Sequence, residues 1–354
     1  MEEIEMNCIV LGGTGLIGQQ FIRMLAEHPI FELETIFASS RSAGKRLGDI
    51  WRLPSFDCPK EYQDMEIQAL DEVFDADARI CFSGLPSNVA GELEHKLRME
   101  GKAVFSNSSA HRMDEDVPIL IPEINGNHIE VIKRQQEKLG TEGFIVTNSN
   151  CSISGVAMFL HYARKAGEIT DAVVSTYQAI SGAGFKGLAN PDFKENVVPF
   201  IKLEEEKMIL EGQKILGDIS ENLEFRPSNI RFHPNCARVS SVDGHLASVT
   251  LFHGKLEKGV REILEEAESP LKGEAYHVAP HPPIIVLDEE DRPQPKLDSL
   301  LGQPHTSRGM AVPVGRIRNE ERVTRAFVLA HNTIRGGSGG SILNAEHALA
   351  KRLI

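Results

Sequence analysis

Short apolar runs alternate with segments of helical periodicity over the first 150 residues. The apolar runs span three or four residues, as expected for short strands buried on both faces. In the segments between them, apolar residues such as Ile17, Phe21 and Met24 recur three or four positions apart. The predicted strands are 8–11, 35–38, 80–82, 103–105 and 144–147, and the predicted helices are 16–27, 88–99 and 128–139. Strand and helix in alternation predict an α/β fold with a doubly wound parallel sheet.

The pattern changes after about residue 150. Longer segments appear in which apolar and polar positions alternate, and proline-rich connections join them. The alternating segments are 172–180, 245–252 and 322–330, and the connections include 280–283 and 291–295. Long alternating strands beside few helices predict a second, α+β domain with a mainly antiparallel sheet. The final segment, 339–354, is again helical, with Ile342, Ala345 and Leu349 on one face.

Composition and charge narrow the class of protein. The chain has 354 residues, 41% of them hydrophobic and 25% charged, which excludes a disordered or fibrous protein. Its net charge of −13 argues against a nucleic-acid partner. No apolar stretch approaches the roughly 20 residues that a membrane helix needs, and the acidic start is unlike a targeting signal, so we expect a cytoplasmic protein.

The five cysteines contain no CxxC pair and are odd in number. They therefore suggest neither a disulfide framework nor a zinc site, and we expect no metal. Cys8 and Cys81 lie in apolar strands and are expected to be structural. Any chemical role of cysteine would belong to a lone thiol.

A glycine-rich turn joins the first strand to the first helix. Gly13, Gly15 and Gly18 form a GxGxxG pattern with Thr14 and Leu16–Ile17 between the glycines. Glycine allows close backbone approach and the helix start supplies free N–H groups, so this turn predicts a Rossmann-type site for a dinucleotide pyrophosphate. The alternative is a glycine turn without a ligand, and the flanking strand and helix favour the site.

The end of the second strand indicates which dinucleotide is bound. Ser39, Ser40 and Arg41 follow the strand, with Lys45 shortly after, and the strand end offers no carboxylate for a free ribose diol. Hydroxyl and cationic groups suit a 2′-phosphate, which favours NADP over NAD. A solvated basic loop remains the alternative.

Cys151 is the best candidate for a nucleophile. It follows a strand in a polar run and opens a helix, where the dipole and free N–H groups would stabilise a thiolate near neutral pH. A covalent mechanism also needs a proton carrier, and His245 stands at a strand start after a turn. A half-buried structural histidine is an equally good interpretation from the residues alone. Gln178 and the 181–184 loop end another strand, as either a backbone-approach loop or a simple turn.

Together these segments resemble the aspartate-semialdehyde dehydrogenases of the archaeal and fungal branch. The resemblance runs over nearly the whole chain. The matching segments are 13–18, 108–113, 117–125, 150–152, 178–184, 204–207, 238–239, 244–245, 314–318 and 332–336.

The resemblance implies the NADPH-dependent reduction of L-4-aspartyl phosphate to L-aspartate 4-semialdehyde and phosphate, a step towards lysine, threonine, methionine and isoleucine. Cys151 would form a thioester, His245 would carry protons and Gln178 would position the substrate. The implied substrate-binding residues are Arg238 for the α-carboxylate, Glu205 for the ammonium, and Arg112, Lys207 and Asn150 for the phosphate. The implied cofactor contacts are Thr14 to Ile17, Ser39, Ser40, Arg41, Ser83, Ser181, Gly182, Gly184 and Asn332.

The family also implies an architecture and an assembly. Residues 1–150, completed by a C-terminal helix at 335–354, would bind NADP, and 151–334 would form the catalytic and dimerisation domain of a homodimer or homotetramer. Ser149 and Ala237 depart from the residues common in the family, which leaves open a malonyl-CoA reductase. A catalytically idle NADP-binding protein is the third hypothesis, and the presence of Cys151, Gln178 and His245 argues against it.

Overall fold

A computed structural model describes residues 6–354, so the acidic start at 1–5 lies outside the described residues. The first half of the chain alternates strand and helix. Its elements are β1 (Met6–Leu11), α1 (Leu16–Leu25), β2 (Phe31–Ala38), α2 (Leu47–Ile50), β3 (Ile67–Ala69), β4 (Ile80–Ser83), α3 (Ser87–Met99), β5 (Ala103–Ser106), α4 (Pro122–Asn125), α5 (Ile132–Leu139) and β6 (Phe144–Thr147).

The second half has longer strands and fewer long helices. Its elements are α6 (Cys151–Ala163), β7 (Ile169–Gln178), α7 (Gly184–Leu188), β8 (Val197–Val198), α8 (Glu204–Ile215), β9 (Asp218–Ile219), β10 (Phe225–Arg226), β11 (Arg231–Val239), β12 (His245–His253), α9 (Val260–Glu265), β13 (Ile284–Leu287), α10 (Pro295–Asp298), β14 (Val312–Asn319), β15 (Val323–Ala330) and α11 (Ser338–Ala350).

The first sheet has six parallel strands in the order β3-β2-β1-β4-β5-β6. Alternate side chains of each strand enter different cores: Val10 and Phe82 join α1 on one face, while Ile9 and Cys81 join α3 on the other. Burial on both faces explains the continuous apolar runs and confirms the predicted doubly wound α/β fold. The order reverses at β1, so the loops after β1, β2 and β4 share one edge of the sheet.

The second sheet has seven strands in the order β13-β14-β15-β12-β7-β11-β8. Four of its pairings are antiparallel, while β13 with β14 and β7 with β11 are parallel. The sheet is therefore mixed and mostly antiparallel, as predicted. Helices α6, α8 and α9 pack together against it, and Val174, Val249 and Val328 point into the core they share.

The C-terminal helix returns to the first sheet. Helix α11 packs against α1 and β5, and Ile342, Leu343 and Ala345 belong to the same core as Phe21 and Phe105. The segment before α11 leaves β15 of the second sheet, and so the chain crosses between the two sheets twice, near residue 150 and near residue 335.

Several elements differ from the sequence-based prediction, and strands β3, β13 and β14 were not predicted. The predicted helix 128–139 is α-helical only from Ile132; Gly126–Val131 is a 3₁₀ turn, which is common at a helix start and here buries both His128 and Ile129. Strand β11 was not predicted, because Pro234 lacks an N–H for a sheet ladder. Its neighbour β8 pairs only with Arg238 and Val239, so β11 is an edge at Pro234 and tolerates the proline.

None of the helices at 6–354 is both long and apolar enough to cross a membrane.

Candidate active site

A cleft of about 560 Å³ opens where the loops of the two sheets meet. Its volume is typical of a site for a small molecule. The lining comes from the α1 start, the loop after β4, the 107–112 segment, the α6 start, the 178–184 loop, α8, β11 and the 332–336 segment. Both halves of the chain therefore contribute to it.

Cys151 occupies the first turn of α6, as predicted, and lines this cleft. Asn150 caps the helix: its Oδ1 accepts a hydrogen bond from the Ser152 N–H at 2.8 Å. Gly336 packs so closely that a Cβ at this position would lie 2.6 Å from the Cys151 Cα. The Asn150 cap and the close packing of Gly336 therefore both restrain the backbone at Cys151.

His245 lies behind Cys151, with its Nε2 3.3 Å from the Cys151 Sγ. On the other side of the ring, Nδ1 accepts a hydrogen bond from the backbone N–H of Ala179 at 3.0 Å. Because an amide N–H can only donate, Nδ1 carries the lone pair and the proton of the neutral ring sits on Nε2. His245 therefore presents a hydrogen-bond donor to the sulfur.

Burial favours the neutral form of both members of this pair. Burial, with a smaller effect from Glu204, raises the pKa of the Cys151 thiol to about 12, against the opposing effect of Arg238 and Arg112. Burial, followed by the positive charge of Arg238, holds the pKa of His245 well below its usual range. Burial therefore opposes the stabilisation of a Cys151 thiolate that was expected from the helix start.

Arg238 and the 178–184 loop form one wall of the cleft. The Nη1 of Arg238 donates to the Ala179 carbonyl at 2.8 Å, and Gln178 precedes that residue at the end of β7. A Cβ at Gly182 would lie 2.7 Å from this Nη1 and 3.0 Å from the His245 Nε2. A side chain at position 182 would therefore displace the Arg238 guanidinium or the His245 ring.

Helix α8 contributes Glu204 and Lys207, which lie one turn apart and both line the cleft. The Glu204 Oε2 accepts from the Asn150 Nδ2 at 3.1 Å. Glu205 points elsewhere: its Oε1 accepts from the Cys236 N–H at 3.0 Å, and it is absent from the lining. The structure thus brings Glu204 to the cleft where the sequence analysis had placed Glu205.

Arg112 lines the cleft near α8 and is 7% exposed. Its Nη1 forms a 3.0 Å ion pair with the Glu211 Oε1, and its Nη2 donates to the Asn107 carbonyl at 2.8 Å. The lining of the cleft therefore includes four cationic residues, Arg112, Lys202, Lys207 and Arg238, together with Cys151.

The glycine turn after β1 fits a pyrophosphate. Gly12 has a φ of 76°, and a Cβ at Gly18 would lie 2.2 Å from the Gly12 carbonyl oxygen. A Cβ at Gly13 would lie 2.2 Å from the Ile36 Cγ2. Gly13 and Gly18 have no room for a side chain, so the backbone at the start of α1 can form the tight turn that a pyrophosphate site needs. Thr14 and Gly15 complete the turn, while Leu16 and Ile17 line the cleft itself.

The remaining predicted cofactor residues spread along the same edge. Ser39, Ser40 and Arg41 are exposed at the end of β2, and Ser83 is buried at the end of β4. Because β1 lies between these two strands, all four residues flank the glycine turn. Arg41 and the two serines do not line the 560 Å³ cleft. A nucleotide that contacts these residues and also enters the cleft would therefore extend along the sheet edge.

Asn332 connects three loops of the site. Its Nδ2 donates to the Ser181 Oγ at 2.8 Å, and its Oδ1 accepts from the Gly244 N–H at 2.9 Å. The residue thereby links the 181–184 loop, in which Gly182 and Gly184 line the cleft, to the turn before His245.

Comparisons with known proteins match this arrangement. The family model "Semialdehyde dehydrogenase, NAD binding domain" matches residues 7–132, and "Semialdehyde dehydrogenase, dimerisation domain" matches residues 160–335. An aspartate-semialdehyde dehydrogenase of Methanothermobacter thermautotrophicus is 42% identical, with 96% of this chain and 98% of the relative aligned. One from Archaeoglobus fulgidus is also 42% identical, with 98% of each chain aligned. The chain belongs to the aspartate-semialdehyde dehydrogenase family.

A solved structure of the family shows the same fold. The aspartate-semialdehyde dehydrogenase of Candida albicans, crystallised with NADP, superposes with a TM-score of 0.85 at 36% identity. The alignment covers 99% of this chain and 100% of that one. The similarity therefore includes both sheets and the returning C-terminal helix.

The sequence analysis of this aspartate-semialdehyde dehydrogenase family member did not identify two acidic residues of the site. Glu204 and Glu211 lie on the face of α8 that also carries Lys207, with spacings of three and four residues. That helical spacing was the available signal. It does not separate Glu204 from Glu205 and Glu206 until the packing of the helix is known.

Proposed function

We propose that this protein is an NADP-dependent aspartate-semialdehyde dehydrogenase, which reduces L-4-aspartyl phosphate to L-aspartate 4-semialdehyde with release of phosphate. The observation that carries the proposal is the convergence of Cys151, Arg112, Lys207 and Arg238 in one cleft, with His245 in contact with the Cys151 sulfur. Such a site offers a nucleophile, a proton donor and several cations for an anionic substrate.

The substrate has three charged groups, and each has a complement in the proposal. Arg238 binds the α-carboxylate and Glu204 the ammonium; Glu204 replaces Glu205, which does not line the cleft. Arg112, Lys207 and Asn150 bind the phosphate, and Gln178 positions the reacting carbonyl.

Cys151 and His245 perform the covalent chemistry. The Cys151 sulfur attacks the acyl carbon and the bond from carbon to the phosphate oxygen breaks. Phosphate leaves with the electron pair and takes up the thiol proton, which yields a thioester. When bound, NADPH supplies the hydride that reduces this thioester. The carbon–sulfur bond then breaks, which releases the aldehyde and returns the sulfur as a thiolate.

His245 acts in this sequence as a donor. Its Nε2–H stabilises negative charge on the sulfur or on the substrate oxygen. To accept the proton of the thiol, the ring would have to transfer its own proton to Nδ1 and lose the Ala179 hydrogen bond. The Ala179 hydrogen bond thus favours His245 as a general acid rather than as a general base.

For the cofactor, we propose that the turn from Gly13 to Gly18 holds the pyrophosphate of NADP and that Ser39, Ser40 and Arg41 hold its 2′-phosphate. The tight turn and the absence of a carboxylate from the end of β2, at Phe37 to Arg41, support this assignment. Ser83, Ser181, Gly182, Gly184 and Asn332 are the further proposed contacts.

We further propose that the cofactor half comprises 1–150 with 335–354 and that 151–334 forms a homodimer interface. The outer face of the second sheet supports the proposed dimer interface. Tyr177 and Phe252 are 39% and 42% exposed on this face, which is the side away from α6. A dimer-sized species that Phe252→Glu dissociates in sedimentation would support it; an unchanged species would refute this face. The five cysteines, all free thiols, support a cytoplasmic location.

One comparison of substrates tests the activity. The reverse reaction should reduce NADP with aspartate semialdehyde only when phosphate or arsenate is present. The second measurement is NADPH oxidation with malonyl-CoA, which the proposal expects to be negligible. Rapid malonyl-CoA reduction without activity on the semialdehyde would replace the proposed substrate, and inactivity in both assays would favour an idle NADP-binding protein.

A further inference from the structure

Helix α8 presents a charged face to the catalytic loops. Glu204, Lys207, Glu211 and Lys214 follow one another at spacings of three, four and three residues, so they lie on one side of the helix. We call these four residues the charged stripe of α8. Its first two members line the cleft, while Glu211 and Lys214 are buried, at 2% and 6% exposure, and do not line it.

The Glu211 carboxylate joins two segments that are distant in sequence. Its Oε1 accepts from the Arg112 Nη1 at 3.0 Å, and its Oε2 accepts from the backbone N–H of Asn150 at 2.6 Å. Asn150 is the cap of the helix that begins with Cys151. One carboxylate is therefore hydrogen-bonded both to the proposed phosphate ligand and to the residue before the nucleophile.

Lys214 holds the main chain of the same arginine. Its Nζ donates to the carbonyl oxygens of Arg112, Asp114 and Val117 at 2.8, 2.9 and 2.8 Å. All three hydrogen atoms of the ammonium group are thus used within the 112–117 segment. Both the backbone and the guanidinium of Arg112 are anchored to α8.

We propose that Glu211 is a positioning residue that fixes the Arg112 guanidinium relative to the start of the Cys151 helix, and that Lys214 assists it by holding the 112–117 segment. The inference rests on the proposed function, in which Arg112 binds phosphate. This role explains why the Glu211 carboxylate is buried next to an anion-binding site. Its two oxygens accept from Arg112 and from the Asn150 N–H, and these two donors must keep a constant separation.

Substitution of Glu211 by glutamine is the direct test. The amide has a single oxygen, so it can accept from Arg112 or from Asn150, and its NH₂ group faces the other donor. In the phosphate-dependent reduction of NADP, Glu211→Gln should raise KM for phosphate about tenfold or more. KM for aspartate semialdehyde and for NADP should stay within about twofold. Glu206→Gln, the same change on the exposed side of α8, is the matched control and should leave all three values unchanged.

Two further variants separate positioning from a loss of fold. Glu211→Asp keeps the charge but is too short to reach both donors, and Lys214→Met removes the contacts to the 112–117 segment; each should raise the same KM selectively. Thermal unfolding of every variant identifies those that are folded. The phosphate KM of the folded variants then tests the positioning role. The double variant Arg112→Lys/Glu211→Gln should be no worse for phosphate than Arg112→Lys alone, because Glu211 acts through Arg112.

The outcomes distinguish this inference from the proposed function. If the unaltered protein shows no phosphate-dependent activity with the semialdehyde, the proposed function fails. If it is active and the folded Glu211 and Lys214 variants keep the phosphate KM within twofold, or raise all three KM values equally, the positioning role is refuted.

Discussion

The Nε2 of His245 lies 3.3 Å from the Sγ of Cys151 and offers it a proton, since the Ala179 N–H occupies the lone pair of Nδ1. The backbone thus selects the tautomer of the catalytic imidazole. A protonated ring would carry a hydrogen atom on Nδ1, which would then face the Ala179 N–H as a second donor. The Ala179 contact therefore lowers the pKa of His245, as burial does.

Replacement of the nucleophile should separate chemistry from cofactor binding. In Cys151→Ala the thioester cannot form, so turnover should fall to background, while the glycine turn that binds NADPH is untouched. Steady-state kinetics and a fluorescence titration with NADPH measure the two effects. Cys58→Ser, which alters a half-buried thiol away from the cleft, is the control. Normal turnover of Cys151→Ala would contradict the mechanism.

Loss of the imidazole should affect kcat more than KM. His245→Asn removes a proton carrier that contacts the reacting sulfur, and we expect kcat to fall about 10²-fold or more. His305→Asn, at an exposed histidine in a short 3₁₀ turn, provides a control with the same chemical change. A change confined to KM would assign His245 to substrate binding.

The reactivity of Cys151 should depend steeply on pH. Alkylating agents react with the thiolate, and the raised pKa of about 12 leaves a very small thiolate fraction at pH 7. The rate of alkylation by iodoacetamide should therefore increase about tenfold per pH unit from pH 7 to 9.5 without a plateau. Mass spectrometry of the 151-containing peptide distinguishes this thiol from the others. A plateau below pH 8 would show that the thiol is activated in the free protein.

Adjacent glutamates provide a test of substrate recognition. Glu204 lines the cleft and Glu205 is bonded to the Cys236 amide, so only Glu204→Gln should reduce kcat/KM for aspartate semialdehyde, by about 10-fold to 100-fold. Glu205→Gln carries the same chemical change one residue away. A larger loss in Glu205→Gln would return the ammonium-binding role to that residue.

The choice of cofactor should depend on the loop after β2. If Arg41 pairs with the 2′-phosphate, the unaltered protein should prefer NADP in kcat/KM, and Arg41→Ala should weaken NADP alone. Arg79→Ala, at a partly exposed arginine outside this loop, serves as the control. Equal use of NAD and NADP by the unaltered protein would disprove the role of the loop.

Several features could be predicted from the residues because local spacing determines them. The apolar runs at 8–11 and 103–105 indicated strands buried on two faces, and the glycines at 13, 15 and 18 marked the turn that the structure closes. Cys151 was placed at a helix start by the strand before it and the apolar face after it. Each of these inferences used only neighbours along the chain.

Other features arise from contacts between distant segments, which spacing does not encode. Packing of α8 decides that Glu204 faces the cleft and Glu205 faces β11, although the two are adjacent. Burial between two sheets decides the pKa of Cys151, against the effect of the helix start. The sequence by itself thus determined most strands of the first sheet and the types of catalytic group. The tertiary structure decided their protonation and partners, because desolvation and hydrogen bonding depend on what surrounds a side chain.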